Sequence, residues 1–200
     1  MLVGQIMRKD PITITPDKRV GQALKLMQEH NIRHLPVVKN GQMVGWITSR
    51  LLREVLLASM LEVITVGDVM IEAPITVTPE TSVEEAARLM YEHKIGGMPV
   101  MEGDKVVGVI TTLDLLAAFL TMLGLLRNSS RLDVLLDKDP AALERATALV
   151  EKAGGKIINV ALGPTKGKHR RYVFRLQKCD LKPIVAALEK EGYPVLDIIP

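Results

Sequence analysis

The chain has 200 residues, 48% of them apolar and 24% charged, with a formal net charge of +3. That is enough apolar chain to bury one or two cores, and it excludes a disordered tail. Six scattered aromatic residues are poor material for a single-stranded nucleic-acid platform, and a lone cysteine, Cys179, excludes an internal disulfide framework or a cysteine zinc cage.

The leading segment MLVGQIMRKDPITIT lacks the apolar core of a signal peptide, which predicts a cytoplasmic protein. Ile12-Thr13-Ile14 reads as a short strand closed by Pro16. From Asp17 to Asn31 the apolar residues Val20, Ala23, Leu24 and Met27 fall on one face of a helix. Leu35–Val38 and Met43–Ile47 read as strands around Asn40-Gly41, a strong hairpin signal, and a helix follows from about Ser49.

The pattern then returns. Sliding the chain by 63 residues aligns Met7–Leu52 with Met70–Leu115, with 20 of 46 positions identical and no gap. The second copy repeats the helix face as Val83, Ala86, Ala87 and Met90, with Thr81-Ser82 as cap candidates and Glu84-Glu85 in the first turn. Gly103-Asp104 replaces Asn-Gly, and a helix follows from about Thr112. Each copy is a β-α-β-β-α unit too small to bury both faces alone, so the two should pack together. Val106–Leu126 is long enough to span a bilayer, but Asp114 near its middle, with Thr111, Thr112 and Gly108, favours a buried strand followed by a core helix.

Residues 1–126 carry a net charge of −2 and residues 127–200 a net charge of +5. The sign changes at Arg127-Asn128-Ser129-Ser130, which has linker chemistry and marks a domain boundary. Beyond it, Arg131–Leu136 alternates as a strand. A helix begins near Asp139-Pro140, presents Leu143, Ala146, Leu149 and Val150, and ends at Gly154-Gly155. Strands are expected at Ile157–Leu162 and Tyr172–Leu176, a helix at Asp180–Gly192 with Ile184, Val185 and Leu188 inward, and a strand at Pro194–Ile199. The order β-α-β-β-α-β is the ferredoxin-like split unit. Between its central strands, Gly163–Arg171 is basic. It reads either as a solvated hairpin tip or as a surface for DNA phosphates, with no helix-turn-helix or zinc finger beside it.

Several motifs of the first half resemble the CBS domain, which occurs in pairs as a Bateman module. They are Pro-Ile-Thr-Ile-Thr-Pro, a helix ending in His-x-Ile, a following Pro-Val, and Gly-x-Ile-Thr-x-x-Asp-Leu-Leu. The resemblance covers about residues 5–123. It implies a pseudo-twofold module whose cleft holds an adenosyl ligand: AMP, ADP, ATP, S-adenosylmethionine or a dinucleotide. The second half resembles the ACT domain, an amino-acid-sensing module that pairs side by side. Ala141 stands where that family prefers glycine. The expected architecture is α+β: CBS repeats at 1–62 and 63–126 and an ACT-like domain at 131–200. This arrangement is similar to the acetoin-utilisation (AcuB-type) proteins.

The resemblance also assigns site residues. The family's ribose-binding carboxylate matches Asp114 in Thr111-Thr112-Leu113-Asp114. A first-turn helix acid is the other reading of Asp114. Copy one has Leu51 instead, which departs from the family. Arg33 and His34 are matched to phosphates across the cleft, the other reading being a solvated arginine and a hydrogen-bonded histidine. Gly96 and Gly97 are expected to let backbone approach the ligand. Thr76, Val77, Ile95, Met98 and Pro99 are the expected adenine slot, although core residues would look the same. His30 and His93 are symmetric and read as helix-end supports. No serine–histidine–aspartate order, phosphate-gripping glycine-rich lysine motif or functional carboxylate pair suggests an enzyme.

The implied function is a regulatory adenine-nucleotide sensor, with no catalytic cofactor or metal, acting on an unnamed partner protein. The apolar helices at Leu51–Leu57 and Leu115–Leu123 predict a homodimer. Neither nucleic acid nor membrane is an expected partner. A structural or DNA-associated adaptor working through the basic loop is the alternative.

Overall fold

The computed structural model describes residues 1–56, 64–126 and 128–200. The expected repeat boundary at 62/63, Leu57 and Arg127 lie outside the described residues. The chain divides into two units, Met1–Ala118 and Phe119–Pro200.

After a 3-10 turn at Val3–Gln5 the first unit forms a two-residue strand, β1 (Arg8–Lys9). Val20, Ala23 and Met27 then form the buried face of α1 (Val20–Glu29). A hairpin of β2 (His34–Lys39) and β3 (Gln42–Thr48) leads into α2 (Ser49–Leu56). Asn40 and Gly41 both take positive φ, 53° and 81°, as a type I′ turn requires. A short α3 (Val66–Val69) precedes the second copy: α4 (Val83–His93), β4 (Gly97–Glu102), β5 (Lys105–Thr111) and α5 (Thr112–Met122). Ser82 caps α4 by accepting the Glu85 N–H at 3.1 Å. In this hairpin only Gly103 is left-handed, at φ 59°, which fits a type II′ turn.

Ile12-Thr13-Ile14 does not form the full strand expected. Only Ile14 pairs: its N–H donates to Pro36 O at 3.0 Å, and its carbonyl accepts from Val38 at 2.8 Å. Val77 does the same with Pro99 and Met101. Prolines on both sides, Pro11 and Pro16, leave too few donors for a longer ladder.

The 63-residue period is written into the core. Val3, Ile14, Val20, Ala23, Met27, Leu35, Val37, Ile47 and Leu52 are buried, and so are their counterparts Val66, Val77, Val83, Ala86, Met90, Met98, Val100, Ile110 and Leu115. The copies also exchange their leading segments. β1 belongs in sequence to the first copy, yet pairs with β5 of the second, Arg8 opposite Val109. Ile71 returns the exchange by pairing with Trp46 on β3. Glycine permits both crossings. A Cβ at Gly45 would lie 2.4 Å from the Met70 sulfur, and one at Gly108 would lie 2.5 Å from that of Met7.

The second unit contains β6 (Ser129–Asp137), α6 (Pro140–Lys152), β7 (Ile157–Lys166), β8 (His169–Gln177), α7 (Lys182–Lys190) and β9 (Val195–Ile199). The antiparallel order β7-β8-β6-β9 is that of the ferredoxin-like split unit. Its core joins Leu132, Val134, Phe174 and Leu176 to Ala146, Val150, Ile184 and Leu188 of the helices. The strand starts two residues before Arg131. Ser129 and Ser130, read as linker, belong to β6, and the buried Ser130 hydroxyl is tied to the Cys179 backbone.

Candidate functional site: a cationic cavity between the two repeats

The exchange of leading segments builds a cavity of about 520 Å³. Arg8–Ile12 and His30–His34 line it from the first copy, and Val109 and Thr111–Leu113 from the second. Arg8, Lys9 and Arg33 supply three cations against Asp10. The Arg33 and Lys9 side chains are exposed and, among the described residues, make no hydrogen bond or ion pair.

Asp114, in the first turn of α5, does not itself line the cavity but is bonded to two residues that do, Thr111 and Arg8. Its two oxygens do different work. Oδ2 accepts the Thr111 N–H at 2.8 Å and the Thr111 hydroxyl at 2.5 Å. The Thr111 Oγ1 in turn accepts the Asp114 N–H at 3.4 Å. This reciprocal arrangement caps the helix. Oδ1 faces Arg8, whose Nε lies 3.5 Å away. The helix-acid reading thus accounts for one oxygen, and the other remains directed at a cationic neighbour. In the first copy the cap survives, with Leu51 N–H donating to Thr48 Oγ1 at 3.2 Å, but the carboxylate does not.

His34 lines the cavity at the start of β2, stacked on Trp46 with ring centroids 5.6 Å apart. Burial, reinforced by the Arg33 charge, lowers its pKa from the ordinary 6.5, so the ring is neutral at neutral pH. The other face of the ring meets the second copy. A Cβ at Gly97 would lie 3.0 Å from two ring atoms, and one at Gly96 would be 3.7 Å away. Gly97 therefore makes room for His34, which occupies the space assigned at sequence level to an approaching ligand.

Arg33, His34 and Thr111 meet in this cavity, with Asp114 against Thr111. Thr76, Val77, Ile95, Gly96, Gly97, Met98 and Pro99 do not line it. Val77 and Met98 are buried in the core, Pro99 is buried beside them, and Thr76 is exposed. The apolar side of the cavity is built instead from Pro11, Ile12, Ile32, Val109 and Leu113. Sequence reading also missed Arg8. Its only signal is a mismatch: the residue 63 positions on is Ile71, just as the counterpart of Asp114 is Leu51. The His30 backbone N–H closes α1 on Leu26 O at 3.2 Å, and the residue itself lines the cavity.

The basic hairpin is largely engaged with its own sheet. Arg171 is held by the buried Asp133, His169 Nδ1 lies 2.8 Å from Asp137, and Arg170 Nε donates to Thr165 at 3.4 Å. Arg131 grips the same Asp133 with two bonds of 2.7 Å. Desolvation works to raise the Asp133 pKa, but these two guanidinium groups outweigh it and hold the carboxyl below its ordinary value. Among the described residues no group of three or more His, Cys, Asp or Glu is placed to hold a metal ion, and no helix is long and apolar enough to cross a membrane.

The CBS domain family profile matches residues 3–58 and 66–121. This chain belongs to the CBS domain family. Among curated relatives, the inosine-5'-monophosphate dehydrogenase of Methanocaldococcus jannaschii is 32% identical over 87% of this chain, and that of Korarchaeum cryptofilum 37% identical over 53%. The match spans only 34% and 22% of those two proteins.

Among three similar solved structures, two hold a ligand. The CBS domain pair of protein MJ0100, in complex with 5'-methylthioadenosine and S-adenosyl-L-methionine, is 33% identical with a TM-score of 0.56, covering 60% of this chain and 95% of that one. CBSX2 in complex with AMP is 28% identical with a TM-score of 0.54, covering 60% and 96%. A structure described as the acetoin utilization protein AcuB from Vibrio cholerae is 30% identical with a TM-score of 0.58, covering 62% and 96%. CBS pairs among its structural relatives thus hold adenosyl ligands. The ferredoxin-like order of the second unit rests on its own strand pairing.

Proposed function

We propose that this chain is a regulatory adenine-nucleotide sensor. A ligand such as AMP, ADP or ATP enters the cavity between the repeats, and its differential affinity for two states of the CBS pair controls a partner protein. The observation that carries this reading is Asp114. One carboxylate oxygen is left over from helix capping and faces Arg8, which lines the cavity together with Lys9 and Arg33. A carboxylate accepts two vicinal ribose hydroxyls, and the cations suit phosphates. The relatives that hold AMP, 5'-methylthioadenosine and S-adenosyl-L-methionine support an adenosyl ligand. On this reading the protein is a cytoplasmic regulator and not a catalyst.

The ferredoxin-like unit is the ACT-like module of the proposal, serving in pairing. The assembly is a homodimer. Leu113 and Leu116 of α5 are 63% and 51% exposed, more apolar surface than one helix leaves to water without cover. Light scattering should give twice the chain mass at micromolar concentration, and a monomer would remove the dimer from the proposal.

The test of the sensor is a calorimetric titration of AMP into the wild type and Asp114→Asn. The amide keeps an oxygen for the Thr111 N–H, so melting should stay close to wild type. Losing the charge-assisted bonds to ribose should cost about 2–4 kcal/mol, or roughly 100-fold in affinity. Unchanged AMP affinity in a folded Asp114→Asn protein would end the ribose assignment.

A further inference from the structure

The ribose-facing oxygen of Asp114 is already occupied, by a residue of the other repeat. We infer that Arg8 is a selecting counterion. It sits on Asp114 until an anionic ligand draws it away, so the cavity takes phosphorylated adenosine and rejects the neutral nucleoside. This rests on the proposed nucleotide site and deepens it.

Three observations converge. The first is geometric. Arg8 Nε lies 3.5 Å from Asp114 Oδ1, while Oδ2 is committed to Thr111, so a diol arriving at Oδ1 has to displace the guanidinium. The second is electrostatic. Arg8 is 59% exposed and Asp114 15%, so their contact is an exchangeable, half-solvated ion pair. A neutral diol replacing it would leave Arg8 without its carboxylate, one of three cations facing Asp10 alone in the cavity. An anion entering with the diol removes that penalty, because Arg8 exchanges one oxyanion for another.

The third observation is internal to the sequence. Across the exchange, Arg8 faces Asp114. The equivalent positions in the other half are Ile71 and Leu51. Both charges are absent there together. A residue that served only to pin β1 to β5 would have no reason to change with the carboxylate, since the strand pairing of Ile71 with Trp46 persists without it.

The test is calorimetry with AMP and adenosine on the wild type, Arg8→Gln and Arg33→Ala. The backbone pairing of β1 does not use the Arg8 side chain, so Arg8→Gln should melt like the wild type. The wild type should prefer AMP by about tenfold or more. In Arg8→Gln, AMP should weaken by about tenfold while adenosine strengthens by roughly threefold, because its competitor for Asp114 is gone. Arg33→Ala should weaken AMP and leave adenosine unchanged. The rise in adenosine affinity is the signature that a structural or purely phosphate-binding role would not give.

Adenosine affinity that is unchanged or lowered in Arg8→Gln would overturn the inference while leaving the nucleotide site standing, provided Asp114→Asn still loses AMP. Failure of AMP to bind the wild type would remove the site itself and the inference with it.

Discussion

The two CBS repeats share a core and differ at the site. Ten buried hydrophobic positions recur at a spacing of 63, Trp46 and Val109 among them. At the cavity, by contrast, Arg8, Arg33, His34 and Asp114 stand opposite Ile71, Gly96, Gly97 and Leu51. Most core changes are small, such as Ile14 to Val77 or Leu35 to Met98, because both copies fill similar space, and Trp46 opposite Val109 is the large exception. The positions around the pseudo-twofold axis carry no such constraint. At these four positions the charged residues and the histidine fall on one side and Ile71, Gly96, Gly97 and Leu51 on the other. The result is a module in which one side carries the Arg8–Asp114 pair and the equivalent side does not, so the two sides are chemically unequal.

His34 and Gly97 show how tightly the two halves are coupled. They occupy equivalent positions, yet they touch: the ring of one fills the space left by the missing side chain of the other. Making the second copy more like an ordinary strand should therefore break the first. Gly97→Ala puts a methyl 3.0 Å from the imidazole, which is backed by Trp46 and has little room to retreat. Overpacking of this kind costs about 1–3 kcal/mol. Gly96→Ala, at 3.7 Å, should be close to neutral. His34→Ala should lose the stacking contact, and in the double variant His34→Ala/Gly97→Ala the second change should cost almost nothing. Urea denaturation of the four proteins measures that coupling. Additive losses would mean that Gly97 is needed for its backbone and not for the ring.

Much of this could be read from the residues, for identifiable reasons. The repeat, the helix faces and the hairpin turns are local signals. Val20, Ala23 and Met27 must recur at helical spacing to be buried at all, and Asn40-Gly41 has few other uses between two apolar runs. The order of the second unit followed from the same kind of pattern. What was not legible depends on tertiary pairing. β1 is two residues long, and nothing in Arg8-Lys9 says that its partner is a strand 100 residues away. The expected adenine slot does not line this cavity, for a related cause. Val77 and Met98 are apolar residues beside the right motifs, and a core and a pocket ask for the same residue types. Arg8 carried its signal only through the paired mismatch with Ile71 and Leu51.

The smallest expected effect, and the one that most sharpens the contrast between the halves, is on pH dependence. The first copy has a titratable ring at the axis and the second has a glycine. The folded state lowers the His34 pKa below 6.5, first through burial and then through Arg33, so it binds fewer protons there than the unfolded chain does. Stability from this residue is therefore fully present above pH 6.5. It declines as pH falls through the window from 6.5 down to the lowered folded value, where protonation becomes equal in both states. The sign is that of a buried base: acid weakens the first unit. Asp133 in the second unit is also depressed, by Arg131 and Arg171, but its window lies below 3.8, far from this one. Trp46, the single tryptophan, stacks on His34 and reports on the first unit. Urea unfolding followed by its fluorescence at pH 7.5, 6.5 and 5.5 should show a midpoint that is flat between the first two and lower at the third. His34→Gln should remove most of that decline. A decline equal in wild type and variant would assign it to other groups and would leave His34 a packing residue whose charge state does not matter to the fold.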